Sequence, residues 1–228
     1  MYRCVAATLE GFVQQIATAY VPHGYWFYVQ GRIPEHKRAE TVDEKLIGRY
    51  DVAVSKWARA RRKRAGLAGV QYIRFERTFV IMATQGQHPF FAEEHGAIRD
   101  LRKTPIRIGG YSISARRGPD GRLHAHVRIE QNRFKDLKAS LLESAVRSST
   151  AVLASRLYEM PYEPYAPVRR QYLRLLRSVN EIRARAGLKM LPSTILPLRR
   201  HIVQAFDEGS FSSHNCSPKC LKTLAYGS

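Results

Sequence analysis

The sequence predicts an α+β fold in which an antiparallel sheet of about five strands is covered by helices. Two pairs of β-rich runs are each joined by a few polar residues, which is typical of hairpins. From Arg133 onward, apolar residues recur at helical spacing instead. The order is helix, strand, helix, hairpin, helix, hairpin and then helices, and it favours an antiparallel sheet followed by a helical extension.

The first third of the chain contains a helix, a strand and a second helical stretch. Apolar residues at helical spacing predict a helix over residues 8–19, which a proline and a glycine end. Residues 25–30 are dense in aromatic and β-branched side chains, so they predict the first strand. Thr41 begins a capping-box motif, which predicts a helix that runs to about Ala65 with a break near Asp51.

Two hairpins and one helix are predicted in the middle of the chain. Residues 70–75 and 79–84 form the first pair of β-rich runs, and residues 90–102 are expected to be helical. Residues 110–116 and 122–129 flank a Gly-Pro-Asp-Gly sequence, whose residues each favour a tight turn. This second hairpin is the clearest one in the sequence.

Helices are predicted over residues 133–157 and from Pro167 to Gly187, because proline favours a helix start and glycine a helix end. The strands and the helices between them predict a ferredoxin-like or RRM-like core. The expected organisation is an N-terminal helix (1–23), an α+β core (24–132), a helical region packed on it (133–206) and a loose tail (207–228).

Charge points to a polyanionic partner. The chain has 38 Lys and Arg against 19 Asp and Glu, a net charge of +19 and a pI near 10.3. Such an excess attracts polyanions, and nucleic acid gains affinity by releasing the counterions of its phosphates. An anionic membrane surface and an acidic protein are the alternatives. No apolar run is long enough to span a membrane and no signal peptide is evident, so the expected location is cytoplasmic or nucleoid-associated.

The basic residues concentrate in three places. One cluster ends the second helical stretch, a second lies in the later hairpin, and a third lies off the apolar stripe of the last helix. Arginine suits phosphate because its planar guanidinium forms paired hydrogen bonds. The predicted nucleic-acid-binding residues are Arg59, Arg61, Arg62, Lys63, Arg64, Arg116, Arg128, Arg169, Arg170, Arg174 and Arg177.

A histidine pair lies in the second strand of the later hairpin. Residues 123–129 alternate strictly, so that His124, His126 and Arg128 share one face of the strand while the apolar residues share the other. The strand rise separates the two imidazoles by roughly 7 Å, from which both can reach one metal ion. A histidine pair that is simply on the surface, or one that contacts phosphate, is the simpler alternative.

This motif resembles the HUH endonuclease superfamily, which is named for His-hydrophobe-His on a central strand of an antiparallel sheet. Its members include single-strand transposases, rolling-circle replication initiators and relaxases. The resemblance covers roughly residues 24–186 and rests on His124, Ala125 and His126 together with the order of elements. It implies a metal-dependent nuclease or transposase that acts on single-stranded or hairpin DNA, with a homodimer as a common assembly.

The resemblance also implies site residues. His124 and His126 would hold Mg²⁺ or Mn²⁺, which polarises the scissile phosphate, and a downstream tyrosine would attack it. Tyr172 is the first choice for that nucleophile, with Tyr165 and Tyr158 after it, and Tyr162 also follows the motif. The third metal ligand is left open among Gln30, Glu76, Gln87 and His88. Zinc is not expected, because His214, Cys216 and Cys220 are loosely spaced and lack a fourth ligand.

A non-catalytic alternative stays open beside the nuclease. The chain would then be a DNA- or RNA-binding subunit of a larger complex, and its partners would include structured RNA and other protein subunits. Aromatic strand residues are its basis, because such side chains stack on bases. They are Tyr25, Trp26, Tyr28, Tyr72 and Phe75, and ordinary core packing explains them equally well.

Overall fold

The computed structural model describes residues 2–206, and over this range the chain is α+β with two antiparallel sheets. The first sheet has the order β2-β3-β1-β4 and the second β5-β6-β7. The strands are β1 (Phe27–Arg32), β2 (Val70–Phe75), β3 (Thr78–Ala83), β4 (Arg99–Asp100), β5 (Ile106–Ile108), β6 (Tyr111–Arg117) and β7 (Leu123–Ile129). The helices are α1 (Leu9–Gln14), α2 (Ala39–Arg49), α3 (Lys56–Arg64), α4 (Pro89–Glu93), α5 (Gln131–Ser144), α6 (Thr150–Tyr158) and α7 (Ala166–Arg185).

The backbone of Leu101 joins the two sheets. Its N–H donates to the carbonyl of Trp26, just before β1, at 2.8 Å, and its carbonyl accepts from the N–H of Ala115 in β6 at 3.1 Å. Leu101 thereby links the segment that leads into β1 of the first sheet to β6, the central strand of the second sheet. The prediction of a single sheet of about five strands missed this division, because β4 and β5 are too short to leave a pattern in the sequence.

The first sheet is buried on both faces, whereas the second is buried on one. In β1, Tyr28 faces the larger core and the next residue, Val29, faces a smaller core beneath α2 and α4. In β6 and β7, the apolar residues that include Ile113 and Val127 face the larger core, where α5, α6 and α7 contribute side chains. The other face of the second sheet carries polar and charged side chains, so this sheet alone presents a polar surface.

Both hairpins occur as predicted. Thr78 pairs with Phe75 across the first turn, and Leu123 pairs with Arg117 across the second. The first strand begins two residues later than predicted and continues through Gly31. A side chain at Gly31 would collide with the ring of Phe79 on the neighbouring strand, so glycine is required there by close packing rather than as a strand end.

Two helix predictions in the first half of the chain were wrong in their extent. The helix expected over residues 90–102 ends at Glu93, and the remaining residues form a loop and β4. Thr41 does not cap a helix, because α2 begins two residues earlier, at Ala39, and Asp43 in its first turns binds Arg74 of β2. The break near Asp51 was predicted correctly and separates α2 from α3.

The helix expected over residues 133–157 is divided into α5 and α6. Ser149 caps α6 by accepting a hydrogen bond from the N–H of Val152 at 3.3 Å. The buried guanidinium of Arg183 donates to the carbonyls of Ala145 and Ser148 at the end of α5. These bonds satisfy carbonyls that a helix end leaves unpaired, so the break is stabilised by α7.

The N-terminal helix continues irregularly after α1, as a π-helical turn over Gln15–Tyr20 and a 3-10 turn over Val21–His23. Within residues 2–206, every helix is too short or too polar to cross a membrane. The predicted tail and the residues His214, Cys216 and Cys220 lie outside the described residues.

Candidate nucleic-acid interface

The polar face of the second sheet is formed by three cross-strand rows of side chains. Antiparallel pairing places Arg116 opposite His124 and Ser114 opposite His126. The third row runs across all three strands, because Ser112 of β6 pairs with both Arg107 of β5 and Arg128 of β7. We refer to Arg107, Ser112, Ser114, Arg116, His124, His126 and Arg128, together with Arg170 of α7, as the polar face.

His126 lies at the centre of the polar face. It is half-buried, and its Nδ1 atom has no hydrogen-bond partner among residues 2–206. Burial lowers the pKa of its imidazole, and the positive charges of Arg116, Arg128 and Arg170 lower it further. The side-chain charges that act on the imidazole of His126 are therefore positive ones.

Helix α7 reaches the polar face because it is bonded to the outer edge of β7. The side chain of Gln171 accepts a hydrogen bond from the N–H of Ile129 at 2.8 Å and donates one to its carbonyl at 3.0 Å. This places the preceding residue, Arg170, close enough to His126 to lower its pKa. Arg174 is one helical turn further along and, like Arg170, is exposed.

The other two predicted arginines of α7 are exposed as well. The guanidinium of Arg169 donates to the carbonyl of Leu198 at 3.5 Å, so it is drawn towards the segment after the helix. Arg177 has an open solvent-facing position. Neither residue is among the charges that act on His126, so the polar face takes Arg170 from this cluster.

His124 lies at the hairpin end of the polar face and is bonded to the turn. Its Nε2 atom lies 2.8 and 2.9 Å from the two carboxylate oxygens of Asp120. Gly118 permits this arrangement, because a side chain there would meet the imidazole ring. The pKa of Asp120 is lowered, chiefly by its hydrogen bond to His124. One of the two histidines of the motif is therefore already engaged with a carboxylate.

The described residues do not assemble the metal site that the HUH resemblance implies. Within residues 2–206, no three His, Cys, Asp or Glu side chains lie close enough together to hold a metal ion. The amide of Gln30 donates to the carbonyl of Arg107, and His88 accepts from the N–H of Phe90 at the start of α4. The histidines also lie on β7, an edge strand of its sheet, rather than on a central one.

Tyr172 lies on the opposite side of the sheet from the two histidines. Its side chain is fully buried in the larger core, and its hydroxyl donates to the carbonyl of Tyr162 at 2.5 Å. Burial raises its pKa well above the usual value. The tyrosine chosen first as a nucleophile therefore contributes to packing, and the structure does not bring it together with His124 and His126.

The other two candidate tyrosines differ in exposure. Tyr165 is half-buried, its ring lies under the guanidinium of Arg200, and burial raises its pKa to about 12. Tyr158 is 54% exposed at the end of α6. Of the three candidates, Tyr158 is the one that solvent reaches most freely.

The aromatic strand residues do not form a stacking platform. Tyr25, Tyr28 and Tyr72 are buried, and Trp26 and Phe75 are packed partly buried against the larger core. The hydroxyl of Tyr28 donates to the carbonyl of Thr104. Core packing is thus the explanation of this pattern, because a base would have to displace protein contacts on both sides of the sheet.

The basic cluster from Arg59 to Arg64 lies on α3, which contains no buried residue. Arg62 forms an ion pair with Asp51, whereas Arg61, Lys63 and Arg64 are exposed. The Nη1 atom of Arg59 is buried without a hydrogen-bond partner among residues 2–206. This cluster lies on a helix rather than on a strand of the second sheet, and we treat it as a second basic surface.

The sequence did not reveal two residues of these surfaces. Arg107 was missed because β5 was not predicted, and its position opposite Ser112 follows from strand pairing alone. Trp57 of α3 is 74% exposed and was not singled out, although it lies four and seven residues before Arg61 and Arg64. That spacing places the three side chains on one helical face.

A scan against protein-family models and a search of curated protein sequences both returned no match.

Proposed function

We propose that the protein binds nucleic acid and that the polar face of the second sheet holds its phosphates. The observation that carries this proposal is the position of His126, half-buried among Arg116, Arg128 and Arg170, with a ring nitrogen that has no partner among the described residues. The positive charges of these three arginines act together at this point of the polar face, so their field there favours an anion. The net charge of +19 supplies the long-range attraction.

A nucleic-acid strand suits this site better than an isolated carboxylate, because it offers one anion at every nucleotide to cations that otherwise repel each other. Each phosphodiester shares its single negative charge between two free oxygens, so it can accept hydrogen bonds from two arginines at once. Arg107 and Arg128 lie in one row on either side of the buried Ser112, so a neighbouring phosphate of the same strand has further contacts. Arg107 also forms an ion pair with Glu130 at 3.6 Å, and its side chain is 66% exposed. The partly exposed hydroxyl of Ser114, opposite His126, adds a neutral donor.

The test is a fluorescence-anisotropy titration of labelled oligonucleotides in the presence of a chelator. We expect Arg116→Gln and Arg170→Gln each to weaken binding and to reduce the slope of log affinity against log salt by about one. Arg147→Gln is the matched control, because Arg147 is exposed after α5 and outside the polar face. No binding of DNA or RNA, or an equal loss in the control, would contradict the proposal.

A metal-dependent nuclease is the second candidate, favoured by the shared orientation of His124 and His126 beside the basic residues. Incubation with single-stranded or hairpin DNA and Mn²⁺ would then yield a covalent protein–DNA adduct. The nucleophile is tested with Tyr158→Phe and Tyr165→Phe, because these side chains are less buried than Tyr172. If no adduct forms while nucleic acid still binds in the presence of a chelator, the nuclease candidate is contradicted and only the binding function is supported.

A further inference from the structure

Helix α3 is almost entirely basic and is not part of either core. Six of its nine residues are Lys or Arg, and none of the nine is buried. Ser55 caps its N-terminus by accepting a hydrogen bond from the N–H of Ala58 at 3.1 Å. Like charges three and four residues apart destabilise a helix unless solvent or an anion screens them. The helix is therefore suited to an anionic partner.

One side of α3 contacts the rest of the protein. The less exposed residues are Ala58, Arg59, Ala60 and Arg62. Arg62 is paired with Asp51 just before the helix, and a nitrogen of Arg59 is buried. These residues orient the helix, because they fix which side chains point away from the protein.

Trp57, Arg61 and Arg64 form the outward side of α3. Their spacing of four and three residues places them in one row, and all three are exposed. Along the axis, Trp57 and Arg61 lie about 6 Å apart and Arg61 and Arg64 about 4.5 Å apart, given the helical rise of about 1.5 Å per residue. The indole of Trp57 is 74% exposed and has no hydrogen-bond partner among residues 2–206. In contrast, the indole N–H of Trp26 donates to the carbonyl of Val21.

We infer that α3 binds single-stranded nucleic acid, with an unpaired base stacked on Trp57 and adjacent phosphates bound by Arg61 and Arg64. This inference rests on the proposed function, because it specifies the strand state of the nucleic acid and adds a second contact surface. Bases present their faces to an aromatic side chain only where they are unpaired, and stacking on Trp tolerates any sequence. A duplex would offer α3 its phosphates alone.

An anionic membrane is the other partner that a basic helix with an exposed tryptophan suggests. Interfacial helices bury a continuous apolar face in the lipid. Apart from Trp57, the residues of α3 are alanine, lysine and arginine, so the helix has no such face. The observations therefore favour nucleic acid.

The experiment uses the intrinsic fluorescence of Trp57. The chain has two tryptophans, so Trp26→Phe leaves Trp57 as the sole indole. This variant is titrated with a single strand, a duplex of the same sequence, an abasic strand of equal length and vesicles of phosphatidylserine and phosphatidylcholine. We expect quenching by the single strand and little change with the abasic strand, the duplex or the vesicles.

Affinity provides the second measurement. We expect Trp57→Ala to weaken binding of the single strand by about fivefold or more and to leave duplex binding within about twofold. Trp57→Phe should retain part of the affinity. Met190→Ala is the matched control, because Met190 is 60% exposed but lies outside α3.

The possible outcomes separate this inference from the proposed function. Binding that depends on Arg116 and Arg170, without quenching of Trp57 or loss in Trp57→Ala, overturns the inference and supports the proposed function. If single strands quench Trp57, and neither Arg116→Gln nor Arg170→Gln weakens their binding, the result supports the inference and contradicts the role of the polar face. A response to vesicles alone, or equal quenching by duplex and single strand, overturns the inference.

Discussion

The side-chain amide of Gln171 forms two hydrogen bonds with the backbone of Ile129, one to its N–H at 2.8 Å and one to its carbonyl at 3.0 Å. The amide takes the place of a neighbouring strand, because Ile129 is the last residue of β7 at the edge of its sheet. The pair fixes α7 against the strand that carries His126. One side chain thereby connects the stability of the fold to the placement of Arg170.

Replacement of Gln171 by leucine is expected to destabilise the protein by about 1–3 kcal/mol, because two buried backbone groups lose their partner. Urea denaturation measures the loss. Binding of nucleic acid should weaken as well, since α7 no longer holds Arg170 beside His126. Gln131→Leu is the control, because Gln131 is exposed at the start of α5. Unchanged stability in Gln171→Leu would contradict this account.

The stability of the protein should depend on pH through His126. Its pKa is lowered in the folded state from the usual value of 6.5, so the unfolded chain takes up a proton at a higher pH than the folded protein. The stabilisation is complete above about pH 6.5 and is lost as the pH falls through the lowered pKa. The decrease should be smaller in His126→Asn, as measured by urea denaturation across this range. An identical pH profile in the variant would contradict the prediction.

Nucleic-acid binding should tighten as the pH falls. A phosphate beside His126 favours the protonated imidazole, so binding raises the lowered pKa and takes up a proton. Anisotropy titrations below about pH 6.5 should show increasing affinity for the wild type and a weaker increase for His126→Asn. Affinity that is independent of pH would place the phosphate away from His126.

Asp43 and Arg74 form a buried ion pair that anchors α2 to β2. The carboxylate accepts hydrogen bonds from Nε of Arg74 at 2.9 Å and from Nη2 at 2.8 Å, and the hydroxyl of Tyr72 also donates to it. Asp43→Ala should cost about 3–5 kcal/mol, because Arg74 would keep a buried charge without a partner. Glu40→Gln is the control, since Glu40 lies 4.0 Å from Arg74 and is largely exposed. Equal losses in the two variants, measured by urea denaturation, would contradict the assignment.

Tyr172→Phe tests whether this tyrosine packs the core or performs chemistry. Its hydroxyl donates to the carbonyl of Tyr162, so its removal should destabilise the protein by about 1 kcal/mol. Binding of nucleic acid should not change. If Mn²⁺ and single-stranded DNA yield an adduct with the wild type, Tyr172→Phe should still form it. An adduct that disappears only in this variant would restore Tyr172 as the nucleophile.

Local signals in the sequence predicted the candidate site in part. The turn over Gly118–Gly121 and the alternation of residues 123–129 identified the second hairpin and placed His124, His126 and Arg128 on one face, as the register and burial confirm. Both signals depend on neighbours within a few residues, because a strand alternates its side chains without regard to distant contacts. Arg116 followed from the same pattern on the partner strand.

Long-range pairing determined the features that the sequence concealed. β4 has only two residues, which pair with Phe27 and Tyr28 far along the chain, so no local pattern distinguishes it from a helix end. Burial of both faces of the first sheet likewise depends on α2 and α4 covering one side. The aromatic strands that resembled a stacking platform are core residues for this reason.

The sequence by itself determined the basic charge of the protein, its two hairpins and the shared face of the two histidines, because composition, turn residues and strand periodicity are local properties. Only the tertiary structure decided which groups meet across that face. It brought Arg107 into one cross-strand row with Arg128 and Arg170 close to His126, directed Tyr172 into the core and left Trp57 exposed. These relationships arise from how strands pair and helices pack, and residues distant in the sequence become neighbours only when the whole chain folds.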